Sequence, residues 1–329
     1  MFFSTAFAII TAHKEKQEDF STIYLRFSVK AIQREVLRQD AVRPVRPPGK
    51  EYHRIMDADR QTESGFPAQL LPSVAVQLRH AMGNLHFAAN ALAPAEIRES
   101  DPELDRFASA LDQSYYQLLR LANNLTFAHS LSSGAPLSTR DLELPGLIRS
   151  ICGQCRPYAA LQGVSLTFRC PQKKHLCAVA EDAMEMLLYQ LLSNALKFTP
   201  QGGSITVDLR FANRMVLLSV SDTGCGVSPE LLPTLFDRYR HEGLMSPQPH
   251  GLGLGLPLCR RIAEGHGGNL VAEAREGRGL TVTLSIPDRR CGTSAVEDFP
   301  FDYAGGFDRT LLGLADALPA SAFSCKRTC

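Results

Sequence analysis

Between Leu71 and Ala128 the chain carries two apolar seams of the same period, and they constrain its fold more than any other feature. The first runs Leu71, Val74, Leu78, Ala81, Leu85, Ala88 and Leu92, in alternating steps of three and four, the spacing of side chains along the contact line of packed helices. Ala93-Pro94 ends it. Asp101-Pro102 then supplies a helix N-cap with proline in the first turn. The second seam follows: Leu104, Phe107, Leu111, Ser114, Leu118, Leu121, Leu125 and Ala128, with Ser132-Ser133-Gly134 closing the hairpin. Two long antiparallel helices joined by a short loop expose more apolar seam than one hairpin can bury. A homodimer that pairs two hairpins into a four-helix bundle is the expected remedy.

Beyond Leu137 the texture changes to mixed helix and strand. Leu142–Leu161 predicts a helix, Val164–Arg169 a short alternating strand, and Glu181–Phe198 a strongly apolar helix. Ser204–Leu209 with Met215–Ser221 predicts one hairpin, and Asn269–Arg275 with Leu280–Ile286 another. Between them lies Arg238–His250, a glycine-, proline- and histidine-bearing loop long enough to move. The expected class is α+β, a mixed sheet with helices on one face. After Pro287 comes a tail in which Asp308–Leu318 has the pattern of a short amphipathic helix.

Three short signatures carry chemistry. Asn194 and Lys197, three apart at the end of the apolar helix, share a face. A carboxamide oxygen suits Mg²⁺, which binds through oxygens and keeps some water, and the lysine can meet phosphate charge. Asp222-Thr-Gly224-Cys-Gly226 follows a strand. Its carboxylate can accept a hydrogen bond from the adenine amine, and its glycines let the backbone turn close under a flat base. Gly251-Leu-Gly253-Leu254-Gly255-Leu256 precedes a helix over Pro257–Glu264, where free backbone N–H groups can meet phosphate oxygens. Each signature alone is common; their order is far more specific.

In these residues the chain resembles the sensor histidine kinases of two-component systems, over about 150 residues by our reading of the pattern. Asn194 in LLSNALKFTP matches the magnesium-binding Asn of the family's N box. DTGCGV (Asp222–Val227) is similar to the G1 box, LFDRY (Leu235–Tyr239) to the F box, and GLGLGL (Gly251–Leu256) to the G2 box. EGHGG (Glu264–Gly268) stands in its usual place after them. The resemblance implies a Bergerat-type α/β sandwich of the GHKL class that binds ATP and Mg²⁺, with Arg238–His250 as its lid. It assigns Asn194 to the metal. To the nucleotide it assigns Lys197, Asp222, Gly224, Gly226, Gly251, Gly253, Leu254 and Gly255.

Two departures bear on the reaction. Hydrolytic relatives such as DNA gyrase carry a water-activating Glu one helical turn before the magnesium Asn; here Gln190 stands there, and an amide cannot act as general base. Glu185 falls on the opposite helix face at about 100° per residue. The resemblance also implies a phosphoacceptor histidine on the hairpin. His80 lies one step off the first seam and is expected to point outward. The family pattern places an acidic residue after that histidine, and this chain has Ala81; Asn84, at the fourth place, matches the residue that positions water for dephosphorylation. His86 with Asn90 repeats the spacing but lacks any further match. Autophosphorylation of His80 followed by transfer to a response-regulator receiver domain is thus the implied activity. The alternative is an ATP-binding pseudokinase or a regulator phosphatase.

With 35 Lys and Arg against 34 Asp and Glu, no net field favours nucleic acid or an anionic membrane. Met1–Ala12 is apolar but much shorter than the ~20 residues that span a bilayer, so no clear membrane span is expected. Nine cysteines, scattered and without an export signal, suit a cytoplasmic chain. Cys152-x-x-Cys155 with Cys170 and Cys177 lacks the second tight pair of a zinc site. The expected division is an N-terminal region with the proline-rich linker Val42–Lys50 over 1–64, the hairpin over 65–134, the ATP-binding domain over 138–288, and a tail over 289–329.

Overall fold

The computed structural model describes residues 71–134, 136–237, 253–274, 279–292 and 307–325. Met1–Ala12, the linker Val42–Lys50, the expected lid Arg238–His250 and Gly251 lie outside them.

The hairpin consists of α1 (Leu71–Leu92) and α3 (Pro102–Ser132), joined through a short helix, α2 (Ala95–Ser100), where the sequence pattern suggests a loop. Asp101 caps α3 as expected: its Oδ1 accepts from the N–H groups of Glu103 and Leu104, both at 3.0 Å, which satisfies donors that have no partner inside the helix. The apolar seam of α1 does not face α3. The inward stripe is Ala75, Arg79, Met82, His86, Ala89 and Ala93, one residue along from the expected seam. The pairing explains the rotation. Arg79 Nη2 donates to Asn123 Oδ1 at 2.8 Å and the His86 ring stacks on Tyr115 at 4.3 Å, so α3 offers polar and aromatic partners that small or polar residues of α1 meet. Val74, Leu78, Leu85 and Leu92 remain outside, as do Phe107, Leu111 and Leu118 of α3.

The second layer is a five-stranded sheet in the order β2-β4-β5-β7-β6, formed by β2 (Ser165–Arg169), β4 (Ser204–Ala212), β5 (Met215–Asp222), β6 (Asn269–Ala274) and β7 (Leu280–Pro287). Only β2 and β4 run parallel; the other neighbours are antiparallel. Strict alternation puts Ile205, Val207, Leu209, Val216, Leu218 and Val220 on the buried face. On the other face Ser219 and Ser221 hydrogen-bond to Thr283 and Thr281 across the β5–β7 pair at 3.0 and 2.9 Å. A separate antiparallel ribbon pairs β1 (Arg140–Glu143) with β3 (Leu176–Val179). Sequence pattern merges β1 into the following helix, α4 (Leu144–Leu161), because four residues are too few to show a period of two.

Helices α4, α5 (Glu181–Phe198) and α6 (Gly255–Gly265) cover the inner face of the sheet. Ala183 to Ser193 are buried without a break, so α5 is covered on all sides, as its apolar composition requires. The sheet supplies one wall and the C-terminal segment the other. The expected tail is therefore a packed element: α7 (Arg309–Leu314), capped by Asp308 through Thr310 N and Leu311 N at 2.7 and 2.9 Å, then a 3-10 turn over Ala320–Phe323. It packs against α3, α4 and α5. Leu311, Leu312, Leu314, Leu318 and Phe323 are at most 3% exposed, each burial stabilising by roughly 2 kcal/mol. Among the described residues no helix is long and apolar enough to cross a membrane.

Candidate functional site

The end of α5 organises the site. Asn194 and Lys197 fall on its last two turns and are half-buried, as are Glu181 and Asp182 at its start, in a helix that is otherwise largely buried. Their spacing puts both on one face of the helix, and Asp222 ends β5 nearby. The loop after Asp222 is docked onto the helix terminus: Cys225 N–H donates to the Phe198 carbonyl at 3.3 Å, and Thr223 N–H to the Ser204 carbonyl at 3.1 Å. Asp222 is buried, and its Oδ1 accepts from Gly224 N–H at 2.8 Å and Leu280 N–H at 3.3 Å. These bonds fix the carboxylate against the loop. Only glycine suits the two expected positions, because a Cβ on Gly224 would collide with the Phe198 carbonyl and Gly226 has φ +72°. The loop is thereby packed backbone against backbone on the end of α5.

The glycine-rich segment meets the same helix one turn earlier. Gly255, the first residue of α6, lies so close to Gln190 that a Cβ on it would stand 2.9 Å from Oε1. The structure thus gathers Asn194, Lys197, Asp222, Gly224, Gly226 and Gly255 around the C-terminal half of α5, with Gly253 and Leu254 leading into α6. Gly251 and the last two residues of the F box lie outside the described residues. The donor set fits a magnesium nucleotide: a neutral carboxamide oxygen for a hard cation, a primary amine for phosphate, and a carboxylate within a glycine turn. Burial lowers the Lys197 pKa, and Asp316 opposes that shift while Arg120 adds to it.

Gln190 occupies the place of the hydrolytic base with both ends of its amide engaged. Its Oε1 accepts from Arg120 Nη2 at 2.5 Å, and its Nε2 donates to Asn124 Oδ1 at 2.7 Å. Glu185 turns the other way and pairs with Arg309 Nη1 at 2.8 Å. Neither side chain is arranged to activate water beside Asn194.

His80 and Asn84 stand exposed on α1, outside the cluster on α5. Their neighbour Arg79 points inward to Asn123, which lies next to the Asn124 that meets Gln190. The two histidines of α1 differ sharply. His86 stacks on Tyr115, meets Phe307 edge-on at 5.3 Å, lies 3.4 Å from Asp112 and 3.0 Å from Asn90 Nδ2. That ring is held on both nitrogens, whereas His80 presents its ring to solvent.

Three features escape the sequence pattern. His266, in EGHGG, is a structural tie: Nε2 accepts from Ala180 N–H at 3.1 Å and Nδ1–H donates to the Ile262 carbonyl at 2.8 Å, which joins the end of α6 to the start of α5. Burial lowers its pKa despite the bond to Ile262, so the ring is neutral. Arg120 and Asp316 beside Gln190 carry no local signal. For the C-terminal segment the signal is the near-continuous apolar run of Leu311-Leu312-Gly-Leu314-Ala315, which suits a buried helix better than an amphipathic one. No group of three His, Cys, Asp or Glu able to hold a metal occurs among the described residues; Cys152 and Cys177 are buried thiols pushed up to about 12 by that burial.

A sequence model of the histidine kinase-, DNA gyrase B- and HSP90-like ATPase family matches residues 179–290. Histidine protein kinase DivJ of Caulobacter vibrioides is 43% identical over 105 residues, which are 32% of this chain and 18% of that protein. Sensor histidine kinase WalK of Bacillus subtilis is 25% identical over 276 residues, 83% of this chain and 43% of the relative. The chain thus spans less than half the length of these relatives. The crystal structure of full-length ShkA in complex with AMPPNP superposes with a TM-score of 0.54 at 24% identity, over 69% of this chain and 47% of that one, and shows the same fold. Residues 179–290 thus carry an ATP-binding domain of the histidine kinase-, DNA gyrase B- and HSP90-like class, and the relatives the chain is similar to are sensor histidine kinases.

Proposed function

We propose that the protein is an ATP-dependent protein histidine kinase that phosphorylates its own His80 and passes the phosphoryl group to an aspartate of a response-regulator receiver domain. The observation that carries this reading is the union, in one chain, of the ATP-binding domain with a helical hairpin that presents His80 and Asn84 exposed on one face. Asn194 would hold Mg²⁺, which would supply charge neutralisation to the phosphates. Lys197 meets the phosphates, Asp222 the adenine, and Gly251 to Gly255 the triphosphate. A ring nitrogen of His80 attacks the γ-phosphorus, the bond to the β,γ-bridging oxygen breaks, ADP departs, and the imidazole proton passes to solvent. In the second step an aspartate oxygen of the receiver attacks the phosphorus and the His80 nitrogen leaves. Positioning and charge neutralisation supply most of the acceleration.

The uncovered apolar faces support a homodimer. Leu85 is 70% exposed, Leu92 84% and Phe107 60%, and together with Val74, Leu78, Leu111 and Leu118 they give both hairpin helices an apolar outer side. A second copy seated there completes a four-helix bundle and removes a patch that a monomer rarely leaves in water. ATP and a receiver domain as partners suit a cytoplasmic setting.

Ala81 favours a second reading, a nucleotide-binding pseudokinase or a regulator phosphatase that keeps Asn84 to position water. Incubation with γ-labelled ATP separates the two. Acid-labile label in the wild-type chain and none in His80→Gln, with nucleotide binding retained, is the expected result. Label that survives in His80→Gln removes His80 from the mechanism, and ATP binding with no label in the wild type establishes the pseudokinase. Ala81→Glu is expected to raise labelling, because it restores a carboxylate beside the attacking ring.

A further inference from the structure

Arg120 projects from the hairpin helix α3 into the gap beside α5 and is 5% exposed. Its Nη1 donates to Ser193 Oγ at 2.8 Å and its Nη2 to Gln190 Oε1 at 2.5 Å. Both partners are neutral. The carboxylate paired with it is that of Asp316, in the C-terminal segment, with Oδ2 3.6 Å from Nη1. A direct charge-assisted bond spans about 2.7–2.9 Å, so this pairing is loose, and the Asp316 side chain is 35% exposed at the solvent edge. Burial lowers the Arg120 pKa and Asp316 opposes that shift, as it does for Lys197. Two cations therefore share one distant anion. Cys259 also lies near Arg120, but burial raises its pKa and keeps the thiol neutral. Glu185 is occupied by Arg309. A buried cation so incompletely balanced gains from any further anion that reaches it.

The location specifies the anion. Ser193 adjoins Asn194, Gln190 lies one turn before it, and Gly255 at the head of α6 approaches the same Gln190 Oε1 that Arg120 holds. We propose that Arg120 is a phosphate-binding residue delivered to the nucleotide by the hairpin, and that Asp316 is its counterion until phosphate arrives. The terminal phosphate of the nucleotide and the Asp316 carboxylate compete for the same guanidinium. Nucleotide binding is then coupled to loosening of the C-terminal segment from α3, and the segment restrains the site by occupying its cation. This inference rests on the ATP-binding reading and adds to it a ligand from outside the ATP-binding domain and a built-in competitor.

The test is a series of Mg-ATP, Mg-ADP and AMP affinities measured by calorimetry on the full chain. Asp316→Asn keeps size and hydrogen bonding and removes the charge. It is expected to tighten ATP by roughly fivefold or more, the lower range of site-to-site coupling, with a smaller gain for ADP and none for AMP. Arg120→Gln is expected to give the reverse ladder, with ATP losing most; Arg120→Lys, which keeps the charge, is expected to retain part of the preference for ATP and serves if the Gln variant does not fold. An equal shift for ATP and AMP in Asp316→Asn, or an unchanged ATP affinity, overturns the competition while leaving the ATP-binding reading in place. Failure of the wild type and all three variants to bind any of the three nucleotides overturns that reading as well.

Discussion

The nucleotide end of α5 and the joint between the hairpin and the C-terminal segment are built on opposite plans. At the nucleotide end the working residues are close in sequence or fall in glycine-marked turns, and the loop Asp222–Gly226 is held by backbone bonds to Phe198 and Ser204. At the joint, Arg98 is the hub. It pairs with Asp105 and Asp112, each at 2.9 Å, and donates to the carbonyl of Phe323 at 3.1 Å. Burial alone would raise the pKa of Asp105, but Ser324 Oγ, Cys325 N–H and Arg98 all donate to it and hold it at about 2. Gln113 and Gln117 of α3 and Gln162 beyond α4 donate to the carbonyls of Leu318, Ala315 and Ala317 at 2.7, 3.3 and 2.7 Å. One region is preorganised for a ligand and keeps half-exposed polar groups. The other spends the polar groups around Arg98 and the segment's carbonyls on internal bonds, which is the mark of a structural lock.

That contrast predicts separable failures. Arg98→Ala strips the joint of its hub and leaves two partly buried carboxylates close together, a change expected to cost about 3 kcal/mol. A urea titration measures the loss, and limited proteolysis is expected to cut first within Phe307–Cys325. Unchanged stability would show that the apolar contacts of Phe323 and Leu318 hold the segment by themselves. Asn194→Ala breaks the other region. It is expected to weaken Mg-ATP binding roughly tenfold or more while stability stays within about 0.5 kcal/mol, because the side chain is half-exposed and outside the core. Calorimetry with and without Mg²⁺ reads it, and an equal loss in both would take Asn194 off the metal.

Legibility followed the same division. The motifs that place Asn194, Asp222 and the glycines together are legible because tight backbone turns demand particular residues at short spacing. The alternation of β4 and β5 and the cap at Asp101 were visible for similar local reasons. The rotation of α1 was not: Leu78 and Met82 have similar apolarity, and only the polar and aromatic partners on α3 decide which stripe turns inward. Arg98 and Phe323 are 225 residues apart, and nothing in RES or SAFS marks them for each other. Arg120 reads locally as one more hydrophilic residue in a long helix, and its burial depends on α5 and the C-terminal segment, which are distant in sequence. Gln190 lies between these cases: its identity was enough to remove a general base, but its partners had to be seen.

Acid acts unequally on the joint and on the α6–α5 link that supports the site, through the smallest of the expected effects. His266 has its pKa lowered below 6.5 by burial, with the bond to Ile262 opposing. The unfolded chain therefore takes up the proton first, so this contribution to stability is complete above the ordinary histidine value and declines as pH falls below it. Protonated His266 cannot accept from Ala180 N–H, and the link between α6 and α5 opens. Asp105 behaves as a depressed carboxylate: its contribution is complete above 3.8 and is lost only as pH falls through about 2. Lowering the pH from 7 to 5 is therefore expected to speed exchange of the Ala180 amide, relative to its intrinsic rate, while protection at the Cys325 amide is unchanged. His266→Gln is expected to abolish the first effect and leave the second. Simultaneous loss at both amides would mean that the joint and the link between α6 and the start of α5 open as one cooperative unit, and their separate construction would not separate their stabilities.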